Sequence, residues 1–350
     1  MVDSIASRVA HLADLVEGPR AYFDVIAIGP AAIPELEHLA RSTASTVHQP
    51  RGLAVDALAQ IGGPEAVDVL LRALADSVAR PLDPVLREAE DVVANRICEQ
   101  LGTVNESRVR NALLDVLRAH AYPACARSLG RLREPRAAPV LARWLGDDTM
   151  REPAAEALCA LGPAALRDLT HMLVCPRIVA GSEPPTWLDG RVMAATILGA
   201  LGAEAVELPL VWSLSDERSA VRRAAALALY AHAPVAAEVA APALIEGLAS
   251  ESWLDREHAA NALRTMGAAV ATPLALASHT LPRDGTIAAL AILAELGHLA
   301  ALGDLHDHPD RHVRWAAVDS LAKLRSPQAR TERARFGRDY EPAIRKRAGA

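Results

Sequence analysis

Residues able to do chemistry are sparse in this sequence, and the densest group lies toward its C-terminal end. His298, Asp304, His306, Asp307, His308, Asp310 and His312 fall within one short stretch. Imidazole and carboxylate groups at such spacing can hold a divalent cation. The same stretch also reads as a polar turn between two helices. That plainer reading is the one taken, so no metal and no cofactor are expected. Neither a glycine-rich phosphate loop nor a nucleophile elbow is present, and no catalytic residue is assigned.

The elements that must carry these residues are legible from a five-point frame. Ala259, Ala262, Leu263, Met266 and Gly267 set it out. It recurs at Ala54–Gly62, Ala94–Gly102, Ala154–Gly162, Ala194–Gly202 and Ala289–Gly297, with weaker copies ending at Gly29, Gly130, Ala233 and Arg325. Apolar residues at i, i+3, i+4 and i+7 share one helix face, and a glycine after the last supplies a left-handed cap. The alanines allow a neighbouring helix to come close. Successive caps lie 28 to 40 residues apart, the period of a helical solenoid whose units bury their apolar faces only against each other.

A second mark runs in register with the first. Arg51, Arg151, Arg191, Arg222, Arg256 and Arg314 each stand eleven residues before a cap, and Asp148, Asp189, Asp216, Asp255 and Asp310 precede the later ones. With Val221–Arg222 and Val313–Arg314, the pattern resembles the HEAT repeat, especially the short variety of the phycobilin lyases. The resemblance covers roughly residues 18–325. It implies an all-α, right-handed α–α superhelix of about ten helical pairs, with the Asp and Arg tying adjacent repeats together. Outer and inner helices would alternate, and inner helices would carry the frame.

The family includes enzymes, and their residues are testable here. Deoxyhypusine hydroxylases hold two irons with repeated His–Glu pairs, whereas this chain offers a single Glu257–His258 in reversed order. The matching slots hold Val192 and Met193, Arg223 and Ala224, or Glu152 and Pro153. HEAT-like DNA glycosylases need a basic surface with aromatics. The outward slots here read Arg96, Glu156, Thr196, Arg223, Tyr230, Asn261, Arg264, Trp315 and Asp319, a mixture of both charges.

Composition narrows the classes further. The formal net charge of −6 gives no general attraction to nucleic acid or acidic membranes. Residues 1–18 lack a signal peptide's apolar core, and no run is long and apolar enough for a membrane helix. Cys98, Cys125, Cys159 and Cys175 form no CxxC and read as reduced thiols of a cytoplasmic protein. Ile5, Val9, Leu12 and Val16 predict one amphipathic helix over 3–17. Two proline-bearing stretches, 77–88 and 175–190, predict irregular loops on one edge. Four turn-side tryptophans, Trp144, Trp187, Trp212 and Trp253, are expected to fill gaps between repeats.

The reading that follows is a repeat solenoid over 1–325 and a basic cap or tail over 326–350; from Arg325 onward eight basic residues stand against three acids. The expected function is a non-catalytic scaffold or adaptor that binds a protein or peptide on its inner-helix face. Arg223, Tyr230, Glu257, Asn261, Arg264, Trp315 and Asp319 are the candidate contact residues, since they combine aromatics with balanced charge. Alternatives are a nucleic-acid binder using the arginines and the basic segment, and a lyase-type enzyme or accessory.

Overall fold

In a computed structural model, described over residues 4–14, 16–42, 48–79, 84–202, 207–232 and 237–349, the chain is all-α and built of paired helices. Contacts divide it into two compact units, residues 1–172 with 177–190 and residues 173–176 with 191–350.

The first unit contains α1 (Ile5–Ala10), α2 (Gly18–Ile28), α3 (Ile33–Ala40), α4 (Gln49–Ile61), α5 (Gly63–Ala79), α6 (Pro84–Leu101), α7 (Ser107–Ala119), α8 (Pro123–Arg131), α9 (Ala138–Trp144) and α10 (Arg151–Leu161). It also takes most of α11 (Leu166–Val174) and the first residues of α12 (Pro185–Leu201). The even-numbered helices α2, α4, α6, α8 and α10 pack side by side as one layer, and the odd-numbered helices form the other. Ala54, Ala57, Leu58, Ile97, Leu101, Leu129 and Leu158 meet Leu36, Leu70, Leu74, Leu113, Leu117 and Leu141 between the layers, all essentially inaccessible to solvent.

The second unit repeats the plan with the rest of α12, then α13 (Glu207–Ser213), α14 (Ser219–His232), α15 (Ala237–Gly247), α16 (Trp253–Met266), α17 (Ala271–Ala277), α18 (Arg283–Glu295), α19 (Leu299–Asp304), α20 (Arg311–Lys323), α21 (Pro327–Ala334) and α22 (Pro342–Gly349). Here α14, α16, α18, α20 and α22 form the even-numbered layer. Leu198, Leu229, Leu263, Leu293 and Leu321 are buried beneath it. The frame residues are therefore core, because helical period places them together on the side facing the odd-numbered layer.

The helix ends follow local chemistry. Gly29, Gly62, Gly162, Gly202, Gly267 and Gly297 all take positive φ. At Gly267 (φ +67°) the chain leaves α16, a conformation in which a Cβ would crowd the carbonyl. Ser252, Asp310 and Ser326 accept hydrogen bonds from Asp255, His312 and Ala329 N–H at the starts of α16, α20 and α21.

Several expectations need correction. Gly102 and Gly130 do not take the left-handed cap conformation. They are sites of close approach instead: a Cβ on Gly130 would lie 2.6 Å from Ala157 Cα. The left-handed residue after α8 is Arg133 (φ 49°). The helix expected over 3–17 breaks, because the Asp14 carboxylate accepts from Val16 and Glu17 N–H at 2.7 and 2.9 Å and so starts α2. Val16 is left 84% exposed. The two expected loops are also shorter, since 77–79 and 84–88 belong to α5 and α6, and 185–190 to α12. Residues 80–83, in the middle of the first, lie outside the described residues. Among the described residues no helix is long and apolar enough to cross a membrane, and the four cysteines are unbridged.

Candidate functional site

The arginine column shows how each repeat is joined to the next. Arg222 donates from Nη1 to the carbonyls of Asp216 and Glu217, and reaches Glu246 on α15 from Nε at 2.9 Å. Arg256 does the same to Ser250 and Glu251, with Asp284 as its acid. Arg314 bonds His308 and Pro309 and pairs with Asp339 at 2.7 Å. Arg191, with 1% of its side chain exposed, bonds Leu173 O and pairs with Asp216. In the first unit Arg51 bonds Ala40 O and Glu90, and Arg151 bonds Leu145 O, Thr186 O and Asp148. The guanidinium thus satisfies the orphan carbonyls at a helix end and bridges to a neighbouring element with its remaining donors.

Two members of the column were not anticipated. Arg345 donates to Asp339 and Tyr340 carbonyls at 2.5 and 3.0 Å, the i−6 and i−5 pattern of Arg222, Arg256 and Arg314. That spacing was available in the sequence as a signal. Thr286, eleven residues before Gly297, substitutes a hydroxyl for the guanidinium and bonds Ser278, Leu281 and Pro282 carbonyls.

The seven candidate contact residues lie on the even-numbered layer of the second unit, on α14, α16 and α20. The structure pairs every charged one. Arg223 donates to Asp255 at 2.8 Å. Arg264 bonds Asn261 at 2.8 Å and stands 3.6 Å from Glu257 and 3.2 Å from Glu295. Asp319 lies between Lys323 and Arg347, each at 2.8 Å. Their cations hold its carboxyl below the usual carboxylate range: Lys323 first, then, against some opposing burial, Arg347. Trp315 is 42% exposed and Tyr230 is half-buried. Arg223, Glu257, Asn261 and Arg264 are brought into one α14–α16 neighbourhood, while Trp315 and Asp319 share α20.

The even-numbered layer of the first unit follows the same charge logic. Arg96 pairs with Asp56 and Arg127 with Glu156, each between adjacent helices. Three open cavities lie along this surface. One of about 400 Å³ is bordered by Gln49, Leu53, Val92 and Arg96. One of about 500 Å³ is bordered by Arg87, Asp91, Asn95 and Tyr122. One of about 340 Å³ is bordered by Glu99, Arg127, Arg131 and Glu156. Tyr122 donates to Asp91 at 2.7 Å. Burial and that carboxylate push its phenol well above the ordinary range. These grooves were not foreseen, since they form only where side chains of α4, α6, α8 and α10 stand apart.

The histidine–aspartate stretch is used structurally. Asp304 pairs with Arg335 and Asp310 with Arg283. His306 Nδ1 faces Gly303 O, and His308 Nδ1 accepts from Asp310 N–H. Among the described residues no group of three His, Cys, Asp or Glu is placed to hold a metal ion. The tryptophans divide. Trp187 lies against Gly146, but Trp212 and Trp253 are 66% and 68% exposed and fill no gap.

With this fold and arginine column on view, the family matches acquire a structural meaning. Residues 50–76 match the PBS lyase HEAT-like repeat and residues 186–264 match HEAT repeats. These two stretches carry HEAT-like repeats, and the paired-helix fold around them agrees with that match. Similar solved structures include Kap121p bound to Pho4p, with a TM-score of 0.53, 14% identity, and coverage of 95% of this chain and 38% of that one. The karyopherin Kap121p bound to the extreme C-terminus of the protein phosphatase Cdc14p gives 0.51, 13%, 97% and 42%. The complex of CpcE and CpcF of phycocyanin lyase from Nostoc gives 0.33, 22%, 79% and 95%, too weak a likeness to weigh. The chain spans less than half the length of these karyopherins, and at such identities the likeness extends to the fold alone. No curated protein matches the sequence.

Proposed function

We propose that this protein is a non-catalytic binding scaffold that takes a protein or peptide partner on the even-numbered layer of its second unit. Arg223, Tyr230, Glu257, Asn261, Arg264, Trp315 and Asp319 would form the contact surface. The observation that carries the reading is the pairing of every charged member within the layer while Trp315 keeps 42% of its surface open. A charge-balanced surface with aromatic anchors suits a polypeptide better than a polyanion. The karyopherins of like fold were solved with bound Pho4p and with a bound Cdc14p segment, which supports a polypeptide partner.

The basic segment fits a nucleic-acid role less well, because several of its charges are engaged. Arg335 pairs with Asp304 and Glu332, Arg347 with Asp319, and Arg345 with backbone carbonyls. Affinity capture from the source organism, followed by mass spectrometry, identifies the partner. Titration of that partner then compares the wild type with Trp315→Ala and Tyr230→Ala. Each aromatic should cost more than about 1 kcal/mol of binding. Arg330→Glu with Arg338→Glu should change little. Loss of binding only in the arginine variant, with steep salt dependence, would replace this reading with nucleic-acid binding. Charge reversal is used rather than truncation, since removing the chain from Pro327 onward would delete the buried Phe336 and strip Arg314 of Asp339.

A further inference from the structure

A different cleft lies on the odd-numbered layer of the first unit, between α9 and α11. It has a volume of about 330 Å³, and Pro139, Ala142, Met172 and Trp187 supply its apolar wall. Trp187 comes from the first turn of α12. Its ring occupies the space where a Cβ on Gly146 would be, only 2.6 Å from Trp187 Cε3. Glycine at 146 is therefore what lets the indole close the cleft.

Basic side chains gather around this wall. Arg143 and Arg167 line the cleft together with His171, and Asp168 is the acid of the lining. The Arg177 guanidinium stacks on the Trp187 ring, 5.5 Å from its centroid. Among the described residues, none of these three arginines has a carboxylate within ion-pairing distance. Neighbouring Arg151, by contrast, is held by Asp148 and Asp189.

The segment that presents Arg177 is built for its position. Val179 and Ser182 exchange backbone hydrogen bonds of 2.8 and 3.1 Å. The two residues between them, Ala180 (φ 51°) and Gly181 (φ 85°), are both left-handed. That is the geometry of a primed hairpin turn. Alanine adopts it only under steric strain, because its Cβ crowds the carbonyl there. Ile178 and Val179, 59% and 48% exposed, stand beside the arginine. Backbone strain and open apolar side chains thus coincide in the insertion that lengthens this repeat.

We propose that this cleft is a docking site for an acidic peptide segment that seats one apolar side chain against Met172 and Trp187. Its carboxylates pair with Arg143, Arg167 and Arg177. Charge complementarity selects the occupant: three uncommitted cations surround a wall that is apolar, where a phosphate backbone would find no partner for its depth. Arginine's planar fork suits carboxylate recognition, and the aromatic wall gives the anchor its pocket. The site is on the other layer and in the other unit from the proposed scaffold surface, so the two stand or fall separately.

The test uses the full chain and fluorescently labelled short peptides of Glu and Asp with one central Leu or Phe. Saturable binding is expected, weakened more than about tenfold by Arg143→Glu with Arg167→Glu. Comparable weakening is expected when the central residue becomes Ser, or when Trp187 becomes Ala. Trp315→Ala should leave this binding unchanged, whatever it does to the partner of the second unit. Both reversed arginines are exposed, and unchanged thermal midpoints confirm that the variants fold. Absence of saturable peptide binding would overturn the proposal. So would indifference to the arginine reversals, indifference to the central residue, or tighter binding of a labelled single-stranded oligonucleotide than of the peptides.

Discussion

Replacing Glu90 by Gln is the sharpest test of how the arginine column stabilises the first unit. Arg51 and Glu90 have side chains only 6% and 4% exposed. The guanidinium reaches Glu90 at 2.9 Å from Nη2, Ala40 O at 3.0 Å from Nε, and Ser77 Oγ at 3.4 Å. Glutamine keeps the volume and one acceptor but removes the negative charge, leaving a cation in a site that excludes water. Breaking a buried pair by one partner costs about 3–5 kcal/mol. An exposed pair would cost at most about 1 kcal/mol. Because each repeat contacts only its neighbours, the loss should be local to α4, α5 and α6. Urea denaturation followed by circular dichroism measures the total, and hydrogen exchange measures where protection is lost. The double variant Arg51→Met with Glu90→Leu should recover most of the stability, since it removes both desolvation costs at once. A Glu90→Gln cost below about 1 kcal/mol would refute the reasoning. A double variant weaker than the single would refute it too.

Three further outcomes are expected. Burial opposes ionisation of Asp339, but the hydrogen bonds from Arg314 and from Glu341 N–H and the charges of Arg314 and Arg345 outweigh it, holding the carboxyl below its ordinary value. A depressed folded pKa contributes stability that is present above the unfolded value of about 3.9 and disappears as pH falls through the folded one. Thermal midpoints of the wild type should therefore fall faster than those of Asp339→Asn in acid, and parallel curves would count against the pair. Gly130→Ala should cost about 1–3 kcal/mol, because the new Cβ meets the Ala157 backbone, which cannot give way. Gly337→Ala, with open space at its Cβ, should stay within about 0.5 kcal/mol in the same denaturation assay. Leu263→Ala, at a fully buried frame position, should cost about 2–5 kcal/mol, and an unchanged unfolding midpoint would show the repeat register to be wrong.

The repeat frame, the left-handed caps after α4, α10 and α16 and the inward arginines were all legible in the sequence. Each depends on neighbours within about eleven residues, so helical period and residue type decide it. The loop expected at 77–88 is shorter than read, because its prolines read as helix breakers, whereas Pro84 begins α6, where a missing N–H costs nothing. Gly130 looked like a cap from its place in the frame. Only the approach of α10 showed that its missing side chain serves a helix crossing. The candidate contact residues do share one layer and their charges read as balanced, but the individual partners that neutralise them were not legible. Arg223 finds Asp255, and Asp319 finds Arg347, 32 and 28 residues away. The cleft of Trp187 depends likewise on Gly146 and on a hairpin turn that no periodicity announces. A repeating sequence specifies its helices one turn at a time, but the register between adjacent helices belongs to the packed structure. That register decides which charges are neutralised and which, such as Arg143, Arg167 and Arg177, meet no carboxylate among the described residues.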